Sequence, residues 1–182
     1  MRKNDLKYVI FKTAEGFFGL LADDKGLIRS TLPAPNFGTA KKYLLVGMFR
    51  GASEYKQMYP DIQKSIKSYY NGFYAELKKA RFVLNWEELT DFSKKVLNVC
   101  KRIPPGQTLT YSQLAKKAGF PKAARAAGSV LAKNPLPLLV PCHRVIRSDG
   151  KIGNFSAAGG SRTKKRMIEF EKWIVIKAQR HK

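Results

Sequence analysis

The chain has 182 residues, 44% of them hydrophobic and 12% aromatic, which suffices for a buried core and excludes a disordered segment. Thirty-five lysines and arginines against thirteen acids give a formal charge of +22, an excess that attracts polyanions, nucleic acid above all. No apolar stretch nears the roughly 20 residues that span a bilayer, MRKNDLKYVIFKTAEG has no signal-peptide pattern, and two cysteines make no disulfide framework, so a cytoplasmic protein is expected.

In chain order, KYVIFKTAEGFFGLLADDKGLIRSTLP holds three short aliphatic and aromatic runs. They break at Ala14-Glu15-Gly16 and at Asp23-Asp24-Lys25-Gly26, hairpin-type turn signals that predict an antiparallel sheet. Helical spacing follows over 39–51 (TAKKYLLVGMFRG) and 60–73 (PDIQKSIKSYYNGF), with Ile62, Ile66, Tyr69 and Tyr70 along one face. RFVLNW, 81–86, reads as a last strand leading to a linker near Glu87. From residue 90 the pattern turns helical: Phe92, Val96, Leu97, Cys100 and Ile103 recur, and Pro104-Pro105-Gly106 stops the helix. Thr110 and Gln113 fit a capping box that opens a short helix through Ala118, closed by Gly119. Pro121 suits the first turn of another helix over 122–133, ended by Asn134-Pro135.

Two short helices about a glycine-containing turn have the pattern of a helix-turn-helix. In the second, Ala123, Ala124, Ala126, Ala127 and Gly128 surround Arg125. Small side chains let such a helix sit close to a duplex, yet they equally suit a tightly packed helix pair with Arg125 on a solvated edge. Leu136–Val140 reads as a buried apolar strand, and DGKIGNFSAAGG as a glycine-dense loop. A final helix over 161–176 would turn Met167, Ile168, Phe170 and Trp173 inward.

The apolar run ends in Pro141-Cys142-His143-Arg144. Packing gives no reason for a thiol, an imidazole and a guanidinium there. A thiolate is a strong nucleophile, and its pKa of about 8.5 falls near cations; His143, Arg144 and Arg147 supply them. Taken alone, a cysteine after an apolar run is most often an inert core residue. Neighbours on a strand also point to opposite faces. Cys100, on the apolar face of its helix, reads as structural. Between Asp91 and Asp149 the chain has no acid and eleven lysines or arginines, so the Cys-His pair sits in a positive field.

Pro141-Cys142-His143-Arg144-Val145 resembles the active-site motif of the O6-alkylguanine-DNA alkyltransferases. GQTLTYSQLAKKAGFPKAARAAGSVLAKNPLPLLVPCHRVI resembles that family along its whole length, and GNFS follows at the expected interval. The likeness is close over 90–171 and loose over 1–85. It implies an α+β fold: a small ribonuclease-H-like mixed α/β domain, 1–85, then a mainly helical domain, 86–182, with a helix-turn-helix and the PCHR loop. It further implies a monomeric DNA-repair methyltransferase without cofactor, membrane or obligate protein partner. Its partner would be double-stranded DNA containing O6-alkylguanine, mainly O6-methylguanine, with O4-alkylthymine as a further substrate.

Roles carry over as what the resemblance implies. Cys142 would attack the alkyl carbon and keep it as a thioether. His143 would act through a water as base, polarised by Glu171, with Glu169 as the fallback. Asn134 would tie the DNA-binding element to the active-site loop. Tyr111 would rotate the target phosphate and donate toward guanine N3. Arg125 would fill the gap left by the flipped base. The Val145 backbone and the Cys142 carbonyl would read the guanine amino group, and the Ser156 N–H would face O6. Thr110 and Lys133 are further DNA-contact candidates, Lys133 standing in for a basic residue that many relatives carry where this chain has Ala132. Phe155 replaces a frequent tyrosine, leaving stacking without a hydroxyl. Some relatives hold a structural zinc in the first domain. No Cys or His precedes Cys100 here, so no such His/Cys zinc site is expected. Two other readings are a non-catalytic binder of alkylated DNA, which would lack the cysteine, and a basic cysteine hydrolase.

Overall fold

The computed structural model describes residues 6–180, apart from the side chains of Lys78 and Lys79. The chain divides into two compact units, Met1–Trp86 and Glu87–Lys182, in a mixed α/β architecture.

In the first unit, β1 (Lys7–Thr13), β2 (Gly16–Asp23) and β3 (Gly26–Ser30) form the expected antiparallel meander. Lys7 pairs with Ala22 at one end and Thr13 with Gly16 at the hairpin. Gly16 has φ +123°, and a Cβ there would lie 2.4 Å from the Ala34 carbonyl oxygen, so only glycine fits that turn. A short β4 (Ser53–Glu54) adds parallel to β1, giving the order β3-β2-β1-β4. Tyr8, Ile10 and Leu21 pack with Ala40 and Leu44 of α1 (Phe37–Leu44). Phe11 and Phe18 are in ring contact, and Phe18 meets Tyr70 of α2 (Pro60–Tyr70). Helices on both faces explain why β1 and β2 read as nearly unbroken apolar runs.

Two expectations fail in this unit. The helix expected over 39–51 ends at Leu44, because Gly47 takes φ +56° and a separate 3₁₀ turn, Gly47–Gly51, follows. RFVLNW is not a strand. It makes one bridge, Leu27 to Leu84, with Leu27 N donating to Val83 O and Asn85 N to Leu27 O. A short helix, α3 (Ala75–Lys79), precedes it unforeseen.

The second unit is mainly helical. α4 (Asp91–Lys101) is capped by Thr90 and buries Val96, Leu97 and Cys100. β5 (Leu109–Thr110) pairs parallel with β6 (Val145–Ile146). Thr110 then caps α5 (Tyr111–Lys117) in the expected capping box with Gln113. Gly119, at φ +91°, closes that helix. α6 (Ala124–Ala132) starts later than expected: Pro121 and Lys122 lie in a turn before it, and the Ala123 N–H bonds to the Phe120 carbonyl. Phe120 packs edge-on to Phe92, with ring centroids 4.8 Å apart. The long α7 (Gly160–Arg180) buries Lys164, Met167, Ile168, Glu171 and Ile174. Trp173 is 52% exposed and lies against Phe170 and Lys177 on the outer side, contrary to its expected inward place. The buried positions recur at three- and four-residue steps from Lys164 to Glu171, a stripe that Trp173 falls outside.

Candidate active site

The run Leu136–Val140 is not a strand. Asn134 turns it, its Oδ1 accepting from Leu136 N at 3.1 Å and its Nδ2 donating to Val140 O at 2.8 Å. Leu138 takes φ 72° within this turn, held there because its side chain is buried. Cys142, His143 and Arg144 follow as one 3₁₀ turn, closed by Arg144 N on Pro141 O. A 3₁₀ turn does not send neighbours to opposite faces as a strand would, so all three side chains are buried in the same unit.

Asn134 Nδ2 also donates to Cys142 Sγ at 3.1 Å. Burial pushes the Cys142 thiol up, and the Asn134 bond and the Lys164 charge only partly offset this. The expected lowering by His143, Arg144 and Arg147 is therefore overturned. Desolvation of the thiolate outweighs the cations, and Arg144 is turned elsewhere. Cys142 rests as a thiol. Cys100 is buried, and burial first, with Cys142 second, raises its thiol well above the ordinary value.

A buried imidazole is beside it in sequence. His143 is fully buried, and its Nε2 lies 2.9 Å from Glu171 Oε1. Its Nδ1 has no protein partner among the described residues. Burial lowers the His143 pKa more than Glu171 raises it, so the ring is neutral at pH 7. Burial alone would raise the Glu171 carboxyl, but bonds from His143 and Arg144 override it and hold it at about 2. Arg144 reaches Glu171 through Nε (2.8 Å to Oε2) and Nη2 (2.7 Å to Oε1), and its Nη1 donates to Ile103 O. Glu169 stands off this cluster, 62% exposed beside Lys165.

Tyr111, half-buried at the start of α5, accepts a hydrogen bond at 3.3 Å from Nζ of Lys164, which also lies over its ring. Lys164 is 1% exposed, and burial brings its pKa down to about 8 against the opposing pull of Cys142. Neither Lys164 nor the Arg144 contacts were foreseen. The signal for Lys164 was its place seven residues before Glu171, in register with Met167 and Ile168 on the inward stripe of α7. Gly153 brings the glycine-rich loop to this spot: a Cβ there would lie 3.5 Å from the Tyr111 hydroxyl. From the far side, Gly128 of α6 would place a Cβ 3.6 Å from the Tyr111 ring.

The remaining candidates lie outside this buried group. Arg125, Lys133 and Ser156 are exposed, and Val145 is buried in β6. The Thr110 hydroxyl accepts from Gln113 N. No group of three or more His, Cys, Asp or Glu that could hold a metal occurs among the described residues, nor a helix long and apolar enough to cross a membrane.

A family model described as the DNA-binding domain of 6-O-methylguanine DNA methyltransferase matches residues 91–173. A methylated-DNA–protein-cysteine methyltransferase of Methanosarcina acetivorans is 35% identical over 150 residues, covering 82% of this chain and 89% of that protein. One from Methanothermobacter thermautotrophicus is 47% identical over 89 residues, 49% of this chain, and that match spans 48% of the relative. The crystal structure of Mycobacterium tuberculosis O6-methylguanine methyltransferase has a TM-score of 0.72 at 26% identity, covering 92% of this chain and 93% of that one. In complex with DNA, the mycobacterial protein gives 0.74 at 26% identity, covering 92% and 94%.

Proposed function

The chain belongs to the methylated-DNA–protein-cysteine methyltransferases, and on that premise we propose that it repairs O6-alkylguanine in duplex DNA by taking the alkyl group permanently onto Cys142. O6-methylguanine is the main substrate and O4-alkylthymine a further one. The observation that carries this reading is that Cys142 Sγ accepts from the Asn134 amide, while His143, next to it in the same buried turn, is paired with Glu171.

In the transfer, His143 Nδ1 takes the thiol proton through a water. The thiolate, held by Asn134, then attacks the alkyl carbon. The carbon–O6 bond breaks with its electron pair staying on the base, and the base gains a proton at N3 from Tyr111 as it leaves. Lys164 donates to the Tyr111 oxygen, which leaves the phenol proton free for this step. A neutral His143 at the start suits a base, because an imidazolium could not accept the proton. The thioether has no easy reverse path, so each molecule reacts once.

The alkylated oxygen lies inside a stacked pair, so the base must be flipped out, at a cost of a few kcal/mol. We assign α5 and α6 to a helix-turn-helix on the duplex and the exposed Arg125 to the vacated stack, where a planar cation both stacks and meets phosphates. Lys133 and Thr110 add backbone contacts. Val145 and Ser156 read the extruded guanine through their main-chain groups. The first unit, with its four-stranded sheet, is the ribonuclease-H-like part.

The test is direct. An oligonucleotide bearing O6-methylguanine is incubated with the protein, and the protein is weighed by mass spectrometry. One added methyl on the Cys142 peptide supports the proposal. Tight binding without a mass change would mean a binder only, and repeated ester turnover without DNA would mean a hydrolase.

A further inference from the structure

We propose that Arg144 is a positioning residue for the transfer: by gripping Glu171 it aims Oε1 at His143 Nε2 and so leaves His143 Nδ1 as the proton-accepting atom. The inference rests on the reading of Cys142 as the alkyl acceptor.

The geometry is specific. Arg144 Nη2 and His143 Nε2 share the one oxygen Oε1, at 2.7 and 2.9 Å, while Arg144 Nε holds Oε2 at 2.8 Å. The Gly106 N–H also faces Oε2, at 3.4 Å. A carboxylate held by the rigid guanidinium fork has its plane fixed. Swinging Oε1 away from His143 would break the Arg144 bonds with it. Because an ionised carboxylate only accepts, Nε2 must carry the imidazole proton, and Nδ1 must be bare whenever the ring is neutral. That atom is the one with no protein partner among the described residues.

A purely structural ion pair is the competing account. Buried pairs of this kind are often replaceable by apolar side chains at little cost, so stability alone gives weak reason for this one. Two observations favour a positioning role. The fork holds the carboxylate that faces His143, rather than a distant acid. The third arm, Nη1, bonds Ile103 O, at the start of the segment that runs through Gly106 and β5 into Tyr111. One side chain thereby joins the thiol side of the site to the element carrying the proton donor. The charged groups facing His143 are Glu171 and Lys164 from α7 and Arg144 from its own turn. Arg144 opposes the protonated ring that forms when the thiol gives up its proton.

The first measurement uses the unaltered full chain. ¹⁵N NMR of its histidines at neutral pH should show His143 protonated at Nε2 and bare at Nδ1. A proton on Nδ1 would overturn the inference. The second is a cycle of Arg144→Met, Glu171→Gln and the double variant, read by the rate of methyl appearance on Cys142 from the lesion oligonucleotide. Arg144→Met should slow transfer at least about tenfold, and the double variant should be no slower than Glu171→Gln alone, since Arg144 acts through Glu171. Losses that simply multiply would overturn it. Without the cation, the acid limb of the rate–pH profile should move to higher pH. Arg144→Lys, which keeps the charge, should leave that limb in place, so a slower Arg144→Met with an unmoved limb also counts against the idea. Should Arg144→Met not fold, the NMR result and the rate of Arg144→Lys, slower than wild type, decide. Failure of the unaltered protein to be methylated at all would sink the parent reading instead, and the NMR result would be unaffected.

Discussion

His143 Nε2 and Glu171 Oε1 lie 2.9 Å apart, with neither side chain more than 1% exposed. Two positions earlier on the same helix, Glu169 points to solvent. Residues two apart on an α-helix differ by about 200° around its axis, so only one of these acids can face the histidine.

Exchanging each acid for its amide separates them. Glu171→Gln should slow methyl transfer by about 10- to 100-fold and cost about 3 kcal/mol, because Arg144 is left buried without its counter-charge. Glu169→Gln removes only an exposed pair with Lys165 and should change stability by less than about 0.5 kcal/mol. Transfer rates and urea midpoints of the two variants check this. Equal rates would remove Glu171 from the relay.

Stability should fall as pH drops. Glu171 is held at about 2 in the folded state against 4.5 ordinarily. Its depressed value means stability fully present above 4.5 and lost as pH falls toward 2, on the order of 3 kcal/mol. His143 pushes the same way: its pKa is lowered by burial, so below about 6.5 the unfolded chain takes up a proton that the folded one refuses. Denaturant titrations from neutral to acid pH should show a continuous loss, and a flat profile down to pH 4 would contradict it.

Lys164→Met removes the cation that bonds Tyr111 and whose charge acts on Cys142. The Cys142 thiol should climb further, and the Tyr111 oxygen loses its donor. Reaction with free O6-benzylguanine near neutral pH should slow by about tenfold, measured as single-turnover kinetics. Cys100→Ala, by contrast, should leave that rate within about twofold and lower stability by about 1 kcal/mol for the lost buried sulfur.

From its exposed place in the first turn of α6, Arg125 should matter only when a duplex must be opened. Arg125→Ala should slow repair in duplex DNA far more than reaction with free O6-benzylguanine. Equal slowing on both substrates would remove the gap-filling role.

Binding to duplex DNA should weaken steeply with salt. A protein making about six phosphate contacts loses about 10³ in affinity between 50 and 200 mM salt. A slope near zero in a filter-binding series would contradict a phosphate-driven search.

Local signals read well where one short-range interaction dominates. The two hairpin turns, the capping box at Thr110–Gln113 and the stop at Pro104-Pro105-Gly106 depend on residues a few positions apart, and each formed as expected. The structure departs from the local pattern where distant partners decide. RFVLNW has strand composition, but among the described residues only Leu27 offers it a bridge. Leu136–Val140 is apolar enough for a strand, yet the Asn134 side chain bends it into a turn. Trp173 faces outward because the inward stripe of α7 is set by what it packs on.

By itself the sequence determined the +22 charge, the acid-free window and the identity of the thiol and imidazole, all of which are chemical facts of the chain. It also specified the capped helices that flank them, since caps and stops are local. Tertiary structure alone decided how those groups act on one another. Glu171 meets His143 across 28 positions, Arg144 meets Ile103 across 41 and Lys164 meets Tyr111 across 53. Whether a thiol rests protonated depends on the water excluded around it and the charges brought near, and neither is written at any one position of the chain.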